Sequence, residues 1–123
     1  MSKMLRKTLE PLFIKNKVNF FINGHSHIYE RTCAISRYNF NKPRGSCIED
    51  NNYDEWGVTY LTVGSGGMLK NSPIEKNYSW SLSLIKTYGF GKLDVLNMSH
   101  ALWKFYGSLN NTILDEATII NKI

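Results

Sequence analysis

The stretch that most restricts what this chain can fold into runs from Val18 to Arg31 and reads Val-Asn-Phe-Phe-Ile-Asn-Gly-His-Ser-His-Ile-Tyr-Glu-Arg. Its first part, 18–22, has the length and the aromatic and β-branched content of a buried strand, and Asn23-Gly24 is a turn signal that ends it. His25 and His27 therefore fall one residue apart at a strand's carboxyl end. In open α/β sheets loops gather at that edge, because the strand holds the backbone while the loop leaves side chains free to converge. Neutral imidazole is a ligand for zinc, iron, manganese and related ions. Gly24 suits a metal loop twice over, since it tolerates positive φ and lets backbone come close to an ion. Two surface histidines after a turn would look the same, so the pair alone marks only a candidate site.

The neighbouring residues say more. Gly24-His25-Ser26-His27-Ile28-Tyr29-Glu30-Arg31 resembles the last signature of the purple acid phosphatases, a branch of the calcineurin-like metallophosphoesterases, Gly-His-x-His-x-Tyr-Glu-Arg, and matches each fixed position. The family places a helix ending in Leu-Glu-Pro-Leu-Phe before this strand, and Leu9-Glu10-Pro11-Leu12-Phe13 stands there. Downstream, residues 58–67, Val-Thr-Tyr-Leu-Thr-Val-Gly-Ser-Gly-Gly, look like the family's strand entering a glycine-rich turn, and 88–93 and 99–103 are similar to the paired strands after it. The resemblance implies an α/β fold: the carboxyl-terminal half of a metallophosphoesterase β-sandwich flanked by helices, mostly β after one amino-terminal helix. It also implies a binuclear centre of Fe(III) with Zn, Mn or Fe(II), hydrolysing phosphate monoesters. His25 would bind the divalent ion and His27 the ferric ion.

Such a centre needs about seven protein ligands, several for each ion, with positions kept for water and phosphate oxygen. In the family the others come from earlier motifs: an Asp, an Asp followed closely by Tyr, an Asn within Gly-Asn-His, and a further His. This chain contains no Gly-Asp, no Gly-Asn-His and no histidine before His25. It holds two ligands of the set and no assignable catalytic residue. Residues 1–123 thus read as a partial metallophosphoesterase domain, inactive alone, whose partner is the missing amino-terminal half. The alternative is a non-catalytic structural or interaction remnant of the fold. The family implies a secreted or lysosome-like location.

Composition narrows the alternatives. A net charge of +5 raises nucleic-acid binding, but the basic residues are scattered and aromatics do not interleave with them, so no nucleic-acid partner is expected. No run approaches the ~18 apolar residues of a membrane span, and the amino terminus lacks the apolar core of a signal peptide. Cys33 and Cys47 would close a loop of about 15 residues if bridged, adding roughly 3 kcal/mol, and two free thiols are equally consistent. They lack the short spacing of a metal-binding pair. Glycosylation triplets begin at Asn77, Asn97 and Asn110, although a chain this rich in Asn, Ser and Thr meets about two by chance.

For the elements, Leu5, Leu9, Leu12 and Phe13 share one face of a helix over 3–16 with Ser2 as cap, and Pro11 should bend or split it. A short strand over 32–35 precedes a long polar loop over 37–56. Strands follow at 58–63, 90–96 and 101–106, the last two joined by a hairpin turn over 97–100, with a short edge strand at 117–121. His100, in that turn, reads as structural. Glu30 and Arg31 have the chemistry to support a ligand or a phosphate, but the resemblance implies that Tyr29, Glu30 and Arg31 are anchors.

Overall fold

The computed structural model describes residues 3–35, 57–71 and 81–121. Lys3–Lys15 form one helix, α1, which continues through Pro11. Proline removes one helical hydrogen bond, and here the helix is held elsewhere: Phe13 packs on Phe21 with ring centroids 5.1 Å apart. Of the bend or split expected at Pro11, α1 does not form the split. Its buried side also differs, with Glu10 buried and Leu5 and Leu12 about half exposed. At its end Val18 N–H donates to the Phe13 carbonyl and Lys17 N–H to that of Ile14, while Lys17 takes a left-handed φ of 54°. This pairing closes the last turn and aims the chain into the first strand.

The strands are β1 Phe20–Asn23, β2 Tyr29–Thr32, β3 Thr59–Val63, β4 Ser81–Ile85, β5 Gly89–Val95, β6 His100–Gly107 and β7 Thr112–Ile120. They make a four-stranded sheet in the order β1-β3-β2-β4 and a three-stranded antiparallel sheet β5-β6-β7. The chain thus contributes to both layers of a sandwich. Two strands differ most from expectation. β2 begins at Tyr29, within the signature itself, because Tyr29 and Arg31 alternate inward with Glu30 outward; Ile35 keeps only a single bridge to Val58. β7 is nine residues long, and its inward positions Asp115, Ala117 and Ile119 include a carboxylate that hides the apolar alternation. β4, Ser-Leu-Ser-Leu-Ile, went unrecognised, its period-2 pattern being short and half serine.

Between the sheets lie Tyr29 and Leu61 from the first, and Ala101, Trp103, Phe105 and Ile119 from the second. The large rings of Trp103 and Phe105 fit because β5 offers glycines beneath them: a Cβ at Gly91 would enter the Trp103 ring, and one at Gly89 the Phe105 ring. The opposite face of the first sheet carries Phe21 and Tyr60, 6.2 Å apart edge to face, under α1. Asn19 and Asn121 bond side chain to side chain at 2.9 Å, tying the entry of β1 to the exit of β7. No helix among the described residues is long and apolar enough to cross a membrane. Ser2, the 37–56 loop, Cys47 and Asn77 lie outside the described residues.

Candidate metal centre

β1 and β3 run parallel, with Phe20 opposite Thr59, and β2 returns antiparallel on the far side of β3, with Tyr29 opposite Val63. Residues 24–28 therefore cross over the end of β3, a span of two strand spacings or about 10 Å. Both signature histidines sit on this crossover. His25 is exposed and His27 half-buried.

The crossover is tightly specified. Ser26 N–H donates to the Gly24 carbonyl at 2.9 Å and Ile28 N–H to that of Ser26 at 2.8 Å, two successive tight turns. The left-handed residue is His25, with φ 71°, and not Gly24 as the sequence suggested. A non-glycine residue there is strained and is held by its surroundings. Those surroundings are the Gly64 N–H, 3.0 Å from the Ile28 carbonyl, and the Lys70 N–H, 3.0 Å from that of His27. The Ser26 carbonyl rests on Gly64, where any Cβ would overlap it. Gly64, in the glycine-rich turn after β3, is thus needed for close approach rather than for an unusual torsion.

Directly after the histidines the signature turns inward. The Tyr29 ring stacks on Phe105 with centroids 3.9 Å apart and an interplanar angle of 5°. Its hydroxyl donates to Asp115 Oδ2 at 2.5 Å and accepts from Trp103 Nε1 at 2.8 Å. Arg31 grips the same carboxylate with two bonds, Nε to Oδ2 at 2.7 Å and a terminal guanidinium nitrogen to Oδ1 at 3.0 Å. Glu30, on the other face, accepts from the Ser81 hydroxyl at 3.0 Å. Tyr29 and Arg31 thus tie β2 to the second sheet, and Glu30 ties it to β4. The partner of Tyr29 and Arg31, Asp115, was missed; a single acid within the inward stripe of β7 was the available signal. Its sequence separation from Arg31 is 84 residues.

Burial, and then the hydrogen bond to Asp115, push the Tyr29 phenol well above its ordinary value. For Arg31, burial pulls downward, but the Asp115 carboxylate outweighs it and the guanidinium is held more firmly protonated. Because Tyr29's folded value lies above its unfolded one, the stability it adds is complete below pH about 10 and is lost as pH rises through the folded value. A tyrosinate absorbance titration should show the Tyr29 phenol resisting ionisation in the folded protein, and Tyr29→Phe should remove its late step and flatten the alkaline loss of stability.

The remaining polar candidates stand apart from the crossover. His100 is exposed in the β5–β6 hairpin, its Nδ1 2.6 Å from the Ser99 hydroxyl. Cys33 is buried and disulfide-bonded. Among the described residues no three His, Cys, Asp or Glu side chains gather as a metal site. The two imidazoles suit an ion as nitrogen donors on a fixed backbone, and an ion held there must draw its other donors from elsewhere.

A parallel β1–β3 pair, a histidine crossover at its carboxyl end and an antiparallel sheet packed beneath agree with what the resemblance implies, the carboxyl-terminal half of a metallophosphoesterase β-sandwich. Comparison with known proteins narrows the class. Residues 57–116 match the family described as iron/zinc purple acid phosphatase-like protein C. Purple acid phosphatase 19 of Arabidopsis thaliana is 31% identical over 97% of this chain, and the protein named "Probable inactive purple acid phosphatase 1", also of Arabidopsis thaliana, is 33% identical over 94%. A purple acid phosphatase from yellow lupin seeds superposes with a TM-score of 0.72 at 27% identity, over 89% of this chain and 19% of that one. The chain is thus similar to the carboxyl-terminal part of the purple acid phosphatases. It spans 31% and 18% of the lengths of the two Arabidopsis relatives.

Proposed function

We propose that His25 and His27 each give an imidazole nitrogen to one ion of a binuclear centre that hydrolyses phosphate monoesters. His25 serves the divalent ion, Zn, Mn or Fe(II), and His27 the ferric ion. The observation that supports this best is the crossover: a strained His25 and a half-buried His27 on backbone pinned at two carbonyls. When bound, the ions would activate a water and neutralise phosphoryl oxygens. This chain's own part is to hold two donors at fixed spacing.

Residues 1–123 are then one portion of a metallophosphoesterase domain, and the remaining donors come from the rest of that domain. β1, an edge strand among the described residues, is free to pair with it. The setting is secreted or lysosome-like. Asn97 and Asn110, exposed at the two hairpin turns of the second sheet, are open to glycosylation there.

Zinc titration of the chain, followed through histidine ring resonances, tests the ligand assignment. The rings of His25 and His27 should shift together while that of His100 stays put. His25→Ala or His27→Ala should each weaken binding about tenfold or more. Binding that is unchanged in both variants would overturn the assignment. The isolated chain should show no metal-dependent turnover of a phosphomonoester.

A second reading, a non-catalytic structural or interaction remnant, draws on the relative named as inactive and on the lack of a third donor among the described residues. It predicts no shift of either ring.

A further inference from the structure

We infer that Asp115, on the last strand of the second sheet, is a positioning residue for the metal-binding crossover, acting through Tyr29 and Arg31. The inference rests on the ligand roles proposed for His25 and His27.

The geometry is a short chain of contacts. His27 is two residues from Tyr29, and Tyr29 opens β2 at the point where the crossover ends. Backbone pairing with β3 and β4 sets the register of β2. It does not by itself fix how deep the strand's start sits against the second sheet, since sheets twist and slide as units. That depth is set by side chains. Tyr29 is fully buried, stacked on Phe105 and bonded at its hydroxyl by Asp115 and Trp103, while Arg31 adds two bonds to the same carboxylate. Asp115 therefore receives three of the donors that hold the first sheet to the second, and all of them come from the signature strand.

On the other side of the crossover, the fixed points are the Gly64 and Lys70 amides on the Ile28 and His27 carbonyls. The His27 backbone thus sits between an anchor within the core and one at the end of β3. Loosening the inner anchor lets β2 withdraw, and the bonds from Gly64 and Lys70 must lengthen. Two imidazoles that serve the two neighbouring ions of one centre, or that share a single zinc ion offered in a titration, gain from a fixed mutual spacing, and that gain disappears when the spacing fluctuates. A plain packing role for Asp115 would lower overall stability and leave the crossover no more mobile than the rest of the sheet.

Tyr29→Phe separates these cases, because it keeps the ring on Phe105 and deletes only the hydroxyl. Asp115→Asn is the second variant, keeping shape and removing charge. Hydrogen exchange is measured first, without metal and under conditions where both variants remain folded by circular dichroism. The amides of Gly64 and Lys70 should exchange about tenfold faster than in the parent. Those of Leu96 and Ser108, which bond in the second sheet's turns to His100 and Tyr88, should keep their rates. Zinc titration of the same samples should then show weaker binding by about tenfold and separate midpoints for the His25 and His27 rings.

Equal acceleration at all four amides, or unchanged rates at Gly64 and Lys70, would overturn the positioning role. Unchanged zinc midpoints in both variants would overturn it too, while leaving the ligand assignment intact. A parent chain in which neither ring responds to zinc would overturn both.

Discussion

Asp115→Ala is expected to cost about 3–5 kcal/mol of folding free energy, because it takes the bidentate carboxylate from the Arg31 guanidinium in a site where both side chains are only 10% exposed. That is a large share of the roughly 5–15 kcal/mol that holds a domain together. Urea unfolding of the variant should show a lowered midpoint with little change in slope. The instructive comparison is with the charges removed together. Replacing a buried pair by apolar residues of similar volume is often neutral, since the desolvation cost disappears with the attraction. Here Arg31→Met with Asp115→Leu should recover only part of the loss. Tyr29 also donates to the carboxylate, and its proton would then be buried without an acceptor. Adding Tyr29→Phe removes that proton but takes the acceptor from the buried Trp103 N–H, so it should restore only part of the remainder. Such a sequence of partial recoveries would identify a network that runs from Arg31 through Asp115 and Tyr29 to Trp103; full recovery in the double variant would show that the Tyr29 bond carries little.

The same network shows how far the sequence could be read. The histidines and the strand before them were legible because a run of apolar residues ending at Asn-Gly has few alternative conformations, and because the signature matched at each fixed position. Helix, hairpin and the β3 strand were also legible, being encoded by local periodicity and turn residues. What stayed hidden was what depends on distance along the chain. That β1 and β2 straddle β3 cannot be read from residues 18–32, since the intervening strand is supplied by 59–63. The role of Asp115 is hidden in the same way: on its own strand it is one acid among β-formers, and it becomes a receptor for Tyr29 and Arg31 only when the sheets meet. Even Gly24 and Gly64 exchange roles for this reason. The turn signal is at Gly24, but the place where backbone needs the room is Gly64, because another segment lies across it.

Gly64→Ala should therefore be the most damaging single-methyl change at the candidate centre. An alanine Cβ would meet the Ser26 carbonyl oxygen and carbon, both backbone atoms, so no rotamer change relieves the contact. The crossover must lift from the end of β3 by on the order of 1 Å, at a cost near the upper end of the ~1–3 kcal/mol typical of overpacking. Lifting also strains the Gly64 to Ile28 hydrogen bond, which stands at 3.0 Å. Since Ser26 lies between the two histidines, the displacement moves both imidazoles relative to the sheet. Misplacement on that scale can lower the efficiency of a fixed constellation about a hundredfold, and zinc affinity at His25 and His27 should fall by tenfold or more. Gly24→Ala is the control. Its added Cβ meets nothing nearer than the Val63 carbonyl at 3.9 Å, an ordinary contact, so binding should change little. Zinc titration and thermal unfolding of the two variants side by side decide the matter. If Gly64→Ala and Gly24→Ala behaved alike, the close approach of β3 to the histidine crossover would not be what holds that loop.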